Sequence, residues 1–357
     1  MRKRRHPVLA TLLRALVMTA LSAVVYDTAN ARPKEDVVIM KNGDRLTCEV
    51  KNLESGVLYV SLDYVSGNVG LDWKQVEKVQ SKGFYQITLR NGDHFEGGIE
   101  RLPNAESANN EVVITTAGRR FEVPASSVVQ VETKKASFWR QLQGSVSSGI
   151  SFTSGNGQTA LNSSASVTYP ATTWQAGMAY TSSFSGGNGI SETNLQELQS
   201  AYLHYLSRNS FVLGLSDFLH SSQQDLELRT TLGGGYGRYW IRTSQNDLKW
   251  FVGPVYIHEQ FQSTSAQPSD QNVEGVIGAI YKLYRFDRYT LQSQGLLYPG
   301  LSDYGRVRAT TTTSLNVKLP NNFSLVFSFW DNYDSRPPIS TAKKNELGVS
   351  TNLGYTF

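Results

Sequence analysis

The last twelve residues of the chain alternate between mostly apolar side chains and small or polar ones. One parity holds Leu347, Val349, Thr351, Leu353, Tyr355 and Phe357, and the other holds Glu346, Gly348, Ser350, Asn352, Gly354 and Thr356. A period of two predicts a β-strand with one apolar face. Such a strand fits the wall of a closed barrel in lipid, with the apolar parity facing the membrane.

The terminal Phe357 lies on the apolar parity of this strand. It resembles the C-terminal signature of bacterial outer-membrane barrels, which the barrel-assembly machinery reads. We therefore predict outer-membrane lipid as the surroundings of the barrel and that machinery as its partner during biogenesis.

The N-terminus predicts export. A basic start from Met1 to Arg5 precedes an apolar stretch from Val8 to Val25, and Ala29-Asn30-Ala31 has the small-x-small form of a cleavage site. We interpret residues 1–31 as a signal peptide. The alternative is a transmembrane anchor, but Arg14 leaves too short an apolar run on either side to cross a bilayer.

The predicted signal carries five basic residues and one acid, and this accounts for the whole formal net charge of +4. The mature chain is therefore formally neutral, and its composition predicts no nucleic-acid partner. Cys48 is the single cysteine, so no intramolecular disulfide can form.

Residues 32–135 contain an internal repeat of about fifty residues. Val38 to Leu46 matches Ile87 to Phe95, and the segment around Val76 matches the one around Val128. The pattern predicts two tandem small β-barrels of the SH3-like or Sm-like kind. Because each is near the lower size limit for folding alone, we expect the two to pack together.

Each repeat contains an Asn-Gly-Asp sequence, at residues 42–44 and 91–93. Asn-Gly is a strong hairpin signal, and one carboxylate per loop is too few for a calcium site. We interpret both as turns; a cation or ligand loop is the alternative. For residues 32–135 we predict a periplasmic location and a partner, either peptidoglycan or another envelope protein. A peptide segment of a protein partner could bind by strand addition.

Residues 138–357 predict an outer-membrane β-barrel of about twelve strands. The candidate strands are 139–153, 159–169, 173–184, 194–207, 211–220, 226–239, 247–257, 272–284, 288–298, 306–319, 322–331 and 343–357. Short turns alternate with longer loops, as in bacterial barrels, except that 240–246 is long for a tight turn. A barrel of ten strands therefore stays open.

A soluble β-sandwich or a cytosolic barrel is the alternative fold for this half, because alternating strands alone exclude neither. The signal, the terminal Phe357 and aromatic residues near the strand ends favour the membrane. Those aromatic residues are Trp139, Trp174, Tyr205, Tyr239, Trp240, Tyr284, Tyr298 and Trp330.

The end of the chain resembles one family. Residues 330–338, 344–347 and the closing Gly354-Tyr355-Thr356-Phe357 are similar to the salt-induced outer-membrane protein family, also called domain of unknown function 481. The start of the barrel, residues 144–157, is similar to it as well. The resemblance implies an outer-membrane barrel linked to salt or osmotic stress, and no site residue is carried over from it.

The interior of the barrel could be a narrow channel or could be closed. The candidate lumen side chains are Arg306, Arg308, Lys318, Gln292 and Gln294. They could line a passage or could pair with acids and close it, and the sequence leaves both open.

We predict that the protein is not an enzyme and assign no catalytic, cofactor-binding or metal residue. The alternative is a hydrolase at the outer rim. There His220, Ser221, Ser222, Asp225 and His258 could converge, with Glu259 available for a metal.

Overall fold

The computed structural model describes residues 34–65, 67–102, 111–134, 138–153, 158–187, 190–206, 208–222, 224, 226–261, 269–285, 289–320, 323–336 and 344–356. Within these residues the predicted fold class is confirmed: small-barrel repeats precede a closed antiparallel β-barrel. The predicted signal peptide and the terminal Phe357 lie outside the described residues.

The two repeats contain the same elements in the same order. The strands of the first are β1 Asp36–Met40, β2 Arg45–Glu54, β3 Val57–Ser61, β4 Asn68–Asp72 and β5 Val76–Gln80. Those of the second are β6 Tyr85–Leu89, β7 His94–Leu102, β8 Glu111–Thr116, β9 Arg119–Pro124 and β10 Val128–Thr133. A single 3-10 turn, Trp73–Gln75 or Ala125–Ser127, precedes the last strand of each.

The repeats exchange strand edges. Within the first, β1 pairs with β5 and β2, and within the second, β6 pairs with β10 and β7. Between them, β5 pairs with β7, and β10 pairs with β2. These pairings close one six-stranded ring, in the order β1-β5-β7-β6-β10-β2. We call residues 36–133 the small barrel.

The core of the small barrel combines both repeats. Val38, Leu53, Val76, Ile87 and Val131 all lie in a single buried cluster. Neither repeat alone would bury a core of this size, which accounts for the shared ring. Cys48 is part of this core, where burial raises the pKa of its thiol to about 12 and keeps it protonated.

The second barrel contains twelve strands. They are β11 Gln143–Thr153, β12 Gln158–Pro170, β13 Trp174–Gly187, β14 Ile190–Tyr205, β15 Ser210–Ser221, β16 Leu226–Arg242, β17 Asn246–Phe261, β18 Ser269–Arg285, β19 Tyr289–Pro299, β20 Val307–Lys318, β21 Phe323–Asp334 and β22 Asn345–Thr356. The barrel closes where β22 pairs with β11, from Ser145 opposite Thr356 to Ser148 opposite Leu353. Twelve strands, not ten, therefore form this large barrel.

The structure corrects some predicted boundaries. Residues 138–141 form a short helix, α1 (Phe138–Gln141), so β11 begins later than predicted. The connection at 240–246 is shorter than it looked, because β16 ends at Arg242 and β17 begins at Asn246. The Thr243 side-chain hydroxyl accepts hydrogen bonds from the backbone N–H groups of Gln245 and Asn246, which tightens this turn.

The predicted parities of the last strands are confirmed. Phe323, Phe327 and Phe329 on β21 are exposed on the outside, as are Leu347 and Val349 on β22. The other strands add Met178, Tyr202, Val212, Leu232, Val252 and Ile277 to this outer surface. The wall of the large barrel is thus apolar outside, as a strand-built wall in lipid requires. Among the described residues, no helix has the length and hydropathy needed to cross a membrane.

Candidate functional site

The inner surface of the large barrel has two unlike halves. On β15 to β18, the inward-facing Phe211, Tyr239, Phe251, Ile257 and Val276 belong to one buried apolar cluster. Leu203, Leu215, Ile280 and Tyr298 pack against it from β14, β15, β18 and β19. This half of the lumen is therefore filled by side chains.

The opposite half carries small polar side chains. Ser145 and Ser166 share a hydrogen bond of 2.8 Å between hydroxyl oxygens, and Ser147 and Ser164 share one of 2.7 Å. On β13, β14 and β20, four inward-facing side chains are exposed to solvent although they point away from the membrane: Ala179, Thr181, Gln199 and Thr312. Solvent-accessible space therefore follows the polar half of the lumen.

Arginines and acids meet at the long-loop end of the lumen. Arg308 donates to both carboxylate oxygens of Glu274, with Nη2 2.7 Å from Oε2, and both residues are buried. Arg306 pairs with Asp334 at 2.7 Å, and its Nη1 lies 3.5 Å from Glu259, which also pairs with Arg229 at 2.6 Å. Because a buried charge is stable only with a partner, these contacts hold that end together. We call these six residues the loop-end network.

The predicted lumen candidates divide into three groups. Arg306 and Arg308 are paired with acids, which was one of the two alternatives for them. Lys318 lies at the opposite end, where its Nζ donates to the Tyr59 hydroxyl at 2.7 Å. Gln292 and Gln294 are half-buried on the inward parity of β19.

Two carboxylates in the middle of the lumen were missed from the sequence. Glu197 on β14 accepts a hydrogen bond of 2.7 Å from Gln199 Nε2, and Asp217 on β15 has one oxygen without a hydrogen-bond partner in the described part of the chain. Neither forms an ion pair with the described residues at 4.0 Å or less. Asp217 shares the parity of Phe211, Leu213 and Leu215 along its strand, and this pattern could have marked it as a polar residue among inward-facing ones.

The small barrel covers the short-turn end of the large barrel. Asn209, in the turn after β14, donates from Nδ2 to the Arg90 carbonyl at 2.8 Å. Thr172, in the turn after β12, donates to Glu96, and Lys74 Nζ lies 3.5 Å from Gln245 in the turn after β16. Together with the Lys318–Tyr59 contact, these make four contacts between the small barrel and the rim of the large barrel. Both barrels belong to one compact unit, Lys34–Thr356.

His94 of the small barrel also packs on this rim. Its ring stacks on Tyr205, with centroids 5.3 Å apart, and its Nδ1 lies 3.0 Å from the Thr88 hydroxyl. Nε2 is buried without a hydrogen-bond partner among the described residues, beside a polar cavity of about 50 Å³. Burial, and then the charge of Arg242, lower the pKa of His94 to about 4, so the ring is neutral at pH 7.

The rim residues of the hydrolase alternative are not brought together. His220 Nδ1 lies 2.9 Å from the Glu227 carbonyl, and His258 Nε2 lies 3.3 Å from Gln260. No hydrogen bond joins either histidine to a serine in the part of the chain that the structure describes, and Asp225 lies outside it. Glu259 belongs to the loop-end network instead. The described residues contain no group of three or more metal-ligating side chains.

Both Asn-Gly-Asp sequences are turns, as we interpreted them. Asn42 Nδ2 donates to Asp44 at 2.6 Å, and Asn91 Nδ2 donates to Asp93 at 2.7 Å. Each carboxylate is thus bound within its own turn.

An apolar outer wall, a partly filled polar lumen and strand closure define a transmembrane β-barrel. A family profile described as "Protein of unknown function, DUF481" matches residues 146–357, and the chain belongs to this family. That description assigns no activity, so the link to salt or osmotic stress stays a prediction.

Similar solved structures include the NanC porin, with 14% identity, a TM-score of 0.38 and coverage of 60% of this chain and 98% of that one. The translocator domain of the autotransporter NalP from Neisseria meningitidis has 14% identity, a TM-score of 0.35 and coverage of 60% and 87%. The monoaromatic hydrocarbon channel CymD has 8% identity, a TM-score of 0.30 and coverage of 77% and 86%. A search of curated proteins gives no significant match.

Proposed function

We propose that this protein is an outer-membrane β-barrel that forms a narrow channel for small polar solutes. We further propose that its small barrel lies in the periplasm and covers the inner mouth of that channel. The observation that carries the proposal is the solvent-exposed set of inward-facing side chains: Ala179, Thr181, Gln199 and Thr312. A barrel closed by its own side chains would bury these positions.

The orientation follows from the connections. The short turns after β12, β14 and β16 lie at the end that the small barrel contacts. Bacterial barrels place short turns in the periplasm and long loops outside the cell. An even strand number returns the chain to its starting side, so the small barrel and the barrel terminus share one side of the membrane.

The passage is narrow because half of the lumen is occupied. The apolar cluster around Phe251 fills one side of the lumen. The loop-end network closes part of its long-loop end. Hydroxyl, amide and carboxyl groups line the remaining wall. Such a surface replaces the hydration of a small polar solute but offers little to an apolar one.

A structural role is the second candidate. The observation that favours it is the covered short-turn end, which would make the large barrel an anchor that holds the small barrel at the membrane. In that case the lumen water would not be continuous across the wall.

Single-channel recording of the full-length protein in planar bilayers tests the channel. We expect discrete, small conductance steps. The Ala179→Trp variant places a large ring in the open half of the lumen and should reduce the steps strongly. Met178→Trp, one residue away but on the exposed outer face, is the matched control and should leave them unchanged.

The outcomes separate the two candidates. The second measurement compares boiled and unboiled samples on SDS gels, where a folded barrel gives a heat-modifiable band that shifts on boiling. Absence of conductance steps in the wild type, together with such a band in the outer-membrane fraction, would favour the structural role. A band that does not shift and stays in the soluble fraction would exclude both.

A further inference from the structure

The second repeat has an open strand edge. β9 pairs with β8 on one side, and no described strand pairs with its other side. It also lies outside the six-stranded ring. An unpaired strand edge presents backbone N–H and C=O groups that can bind another extended chain.

The equivalent strand of the first repeat is placed differently. β4 also pairs on one side only, but it is mostly half-buried and lies on the docked side of the small barrel. Its neighbour Tyr59 contacts Lys318, and Lys74 just beyond it contacts Gln245. Every residue of β9 except Val123 is exposed. Of the two equivalent edges, β9 is the accessible one.

The accessible edge carries two arginines at its start and one exposed acid, Glu122, further along. Arg119 and Arg120 start β9, and neither side chain forms a hydrogen bond or ion pair with the described residues. Alternate residues of a strand point to opposite faces, so the two guanidinium groups flank the strand on both sides. Phe121 follows them and packs on Phe95, with ring centroids 5.2 Å apart, while staying exposed.

We propose that the β9 edge binds an extended acidic segment of a partner protein by strand addition. The backbone ladder would supply the affinity, and Arg119 and Arg120 would select carboxylate side chains on both faces of the added strand. A polypeptide is favoured over other anions because only it can complete the ladder. This inference does not depend on conduction through the large barrel.

Fluorescence anisotropy with the full-length protein in detergent tests the proposal. The probe is a labelled peptide of alternating Glu and Val, and a Lys–Val peptide serves as the opposite-charge probe. We expect the wild type to bind the Glu–Val peptide only. The double variant Arg119→Glu, Arg120→Glu should lose at least about tenfold in affinity, because it removes the charge-assisted hydrogen bonds and places like charges opposite each other.

The matched control is Lys41→Glu, Arg45→Glu, which makes the same charge change at exposed positions of the first repeat. It should bind the Glu–Val peptide as the wild type does, and all variants should keep a heat-modifiable band. If both double variants lost affinity for the Glu–Val peptide equally, net charge and not the β9 edge would explain the loss, and the proposal would be overturned. No binding by the wild type would also overturn it. A wild-type dimer that only the Arg119/Arg120 variant disrupts would assign the edge to a second copy instead.

Discussion

Gly92 lies directly against Asn209, across the contact between the small barrel and the rim of the large one. A Cβ atom on Gly92 would lie 2.6 Å from the Asn209 backbone nitrogen. Gly43, the equivalent glycine of the first repeat, has the same φ of 91° but nothing within 4 Å of such an atom. One turn of the repeat is therefore free, and the other is a docking point.

This pair gives a matched test of docking. Gly43→Ala and Gly92→Ala introduce the same backbone strain, on the order of 1 kcal/mol. Only Gly92→Ala also forces the small barrel away from Asn209. We expect faster hydrogen exchange at residues 90–94 and 208–211 in Gly92→Ala, and larger conductance steps if the small barrel covers the mouth. Equal exchange in both variants would show that this contact does not hold the small barrel in place.

The loop-end network should tolerate loss of a pair better than loss of one partner. Arg308→Met leaves Glu274 buried and unpaired, which costs about 3–5 kcal/mol when a buried pair is broken. Replacing both residues with Met should recover most of that loss. The effect is measured as the urea concentration at which half of the protein in lipid vesicles has unfolded, read from the loss of its heat-modifiable band on SDS gels. A double variant as unstable as the single one would show that packing, not the unpaired charge, dominates.

Docking should weaken in acid. The pKa of His94 is lowered from 6.5 to about 4 in the docked structure, by burial first and by Arg242 second, while Asp93 opposes the shift. A lowered histidine pKa means that the undocked state binds the proton more tightly. The contribution to docking is therefore fully present above pH 6.5 and is lost as the pH falls towards 4. Hydrogen exchange at residues 88–94, corrected for its intrinsic pH dependence, measures this.

His94→Phe is the control for the acid effect. It keeps a ring against Tyr205 but cannot take up a proton, so its docking should not change between pH 7 and pH 5. If the variant and the wild type respond alike, another group carries the pH dependence.

The proposed channel should prefer cations. The three arginines of the loop-end network are each bound to an acid, whereas Glu197 and Asp217 face the lumen without an ion-pair partner among the described residues. The inward-facing Lys249 and Lys282 lie nearer the short-turn end, with Asp247 beside them. In the middle of the passage the fixed charge is therefore acidic, and it raises the local concentration of the opposite ion. We expect a cation-selective reversal potential in a salt gradient, and its loss in Glu197→Gln, Asp217→Asn.

Glu192→Gln removes one charge at an exposed position of the same strand and should leave the selectivity unchanged. Anion selectivity in the wild type would contradict this prediction while leaving conduction itself intact.

Much of the fold could be predicted from local patterns. Each of the twelve candidate strands of the large barrel overlaps an observed strand. Several of them alternate cleanly, because a strand that separates lipid from lumen must alternate. The number of strands stayed open between ten and twelve because the 240–246 connection looked long. The repeat and its turns were also readable, since Asn-Gly requires a specific backbone geometry. The predicted start of β11 was wrong. Phe138–Gln141 forms one helical turn, and four residues are too few for polar-apolar alternation to distinguish such a turn from the end of a strand.

The sequence by itself determined the approximate positions of the strands, the outward faces of the last ones and the two repeats, because each of these depends on residues that are neighbours along the chain. Only the tertiary structure decided that the repeats share one ring, that Arg308 pairs with Glu274, and that Gly92 rather than Gly43 meets Asn209. The physical reason is that these contacts join residues far apart in sequence. They are selected by barrel closure and by the need to pair buried charges, and neither leaves a local pattern.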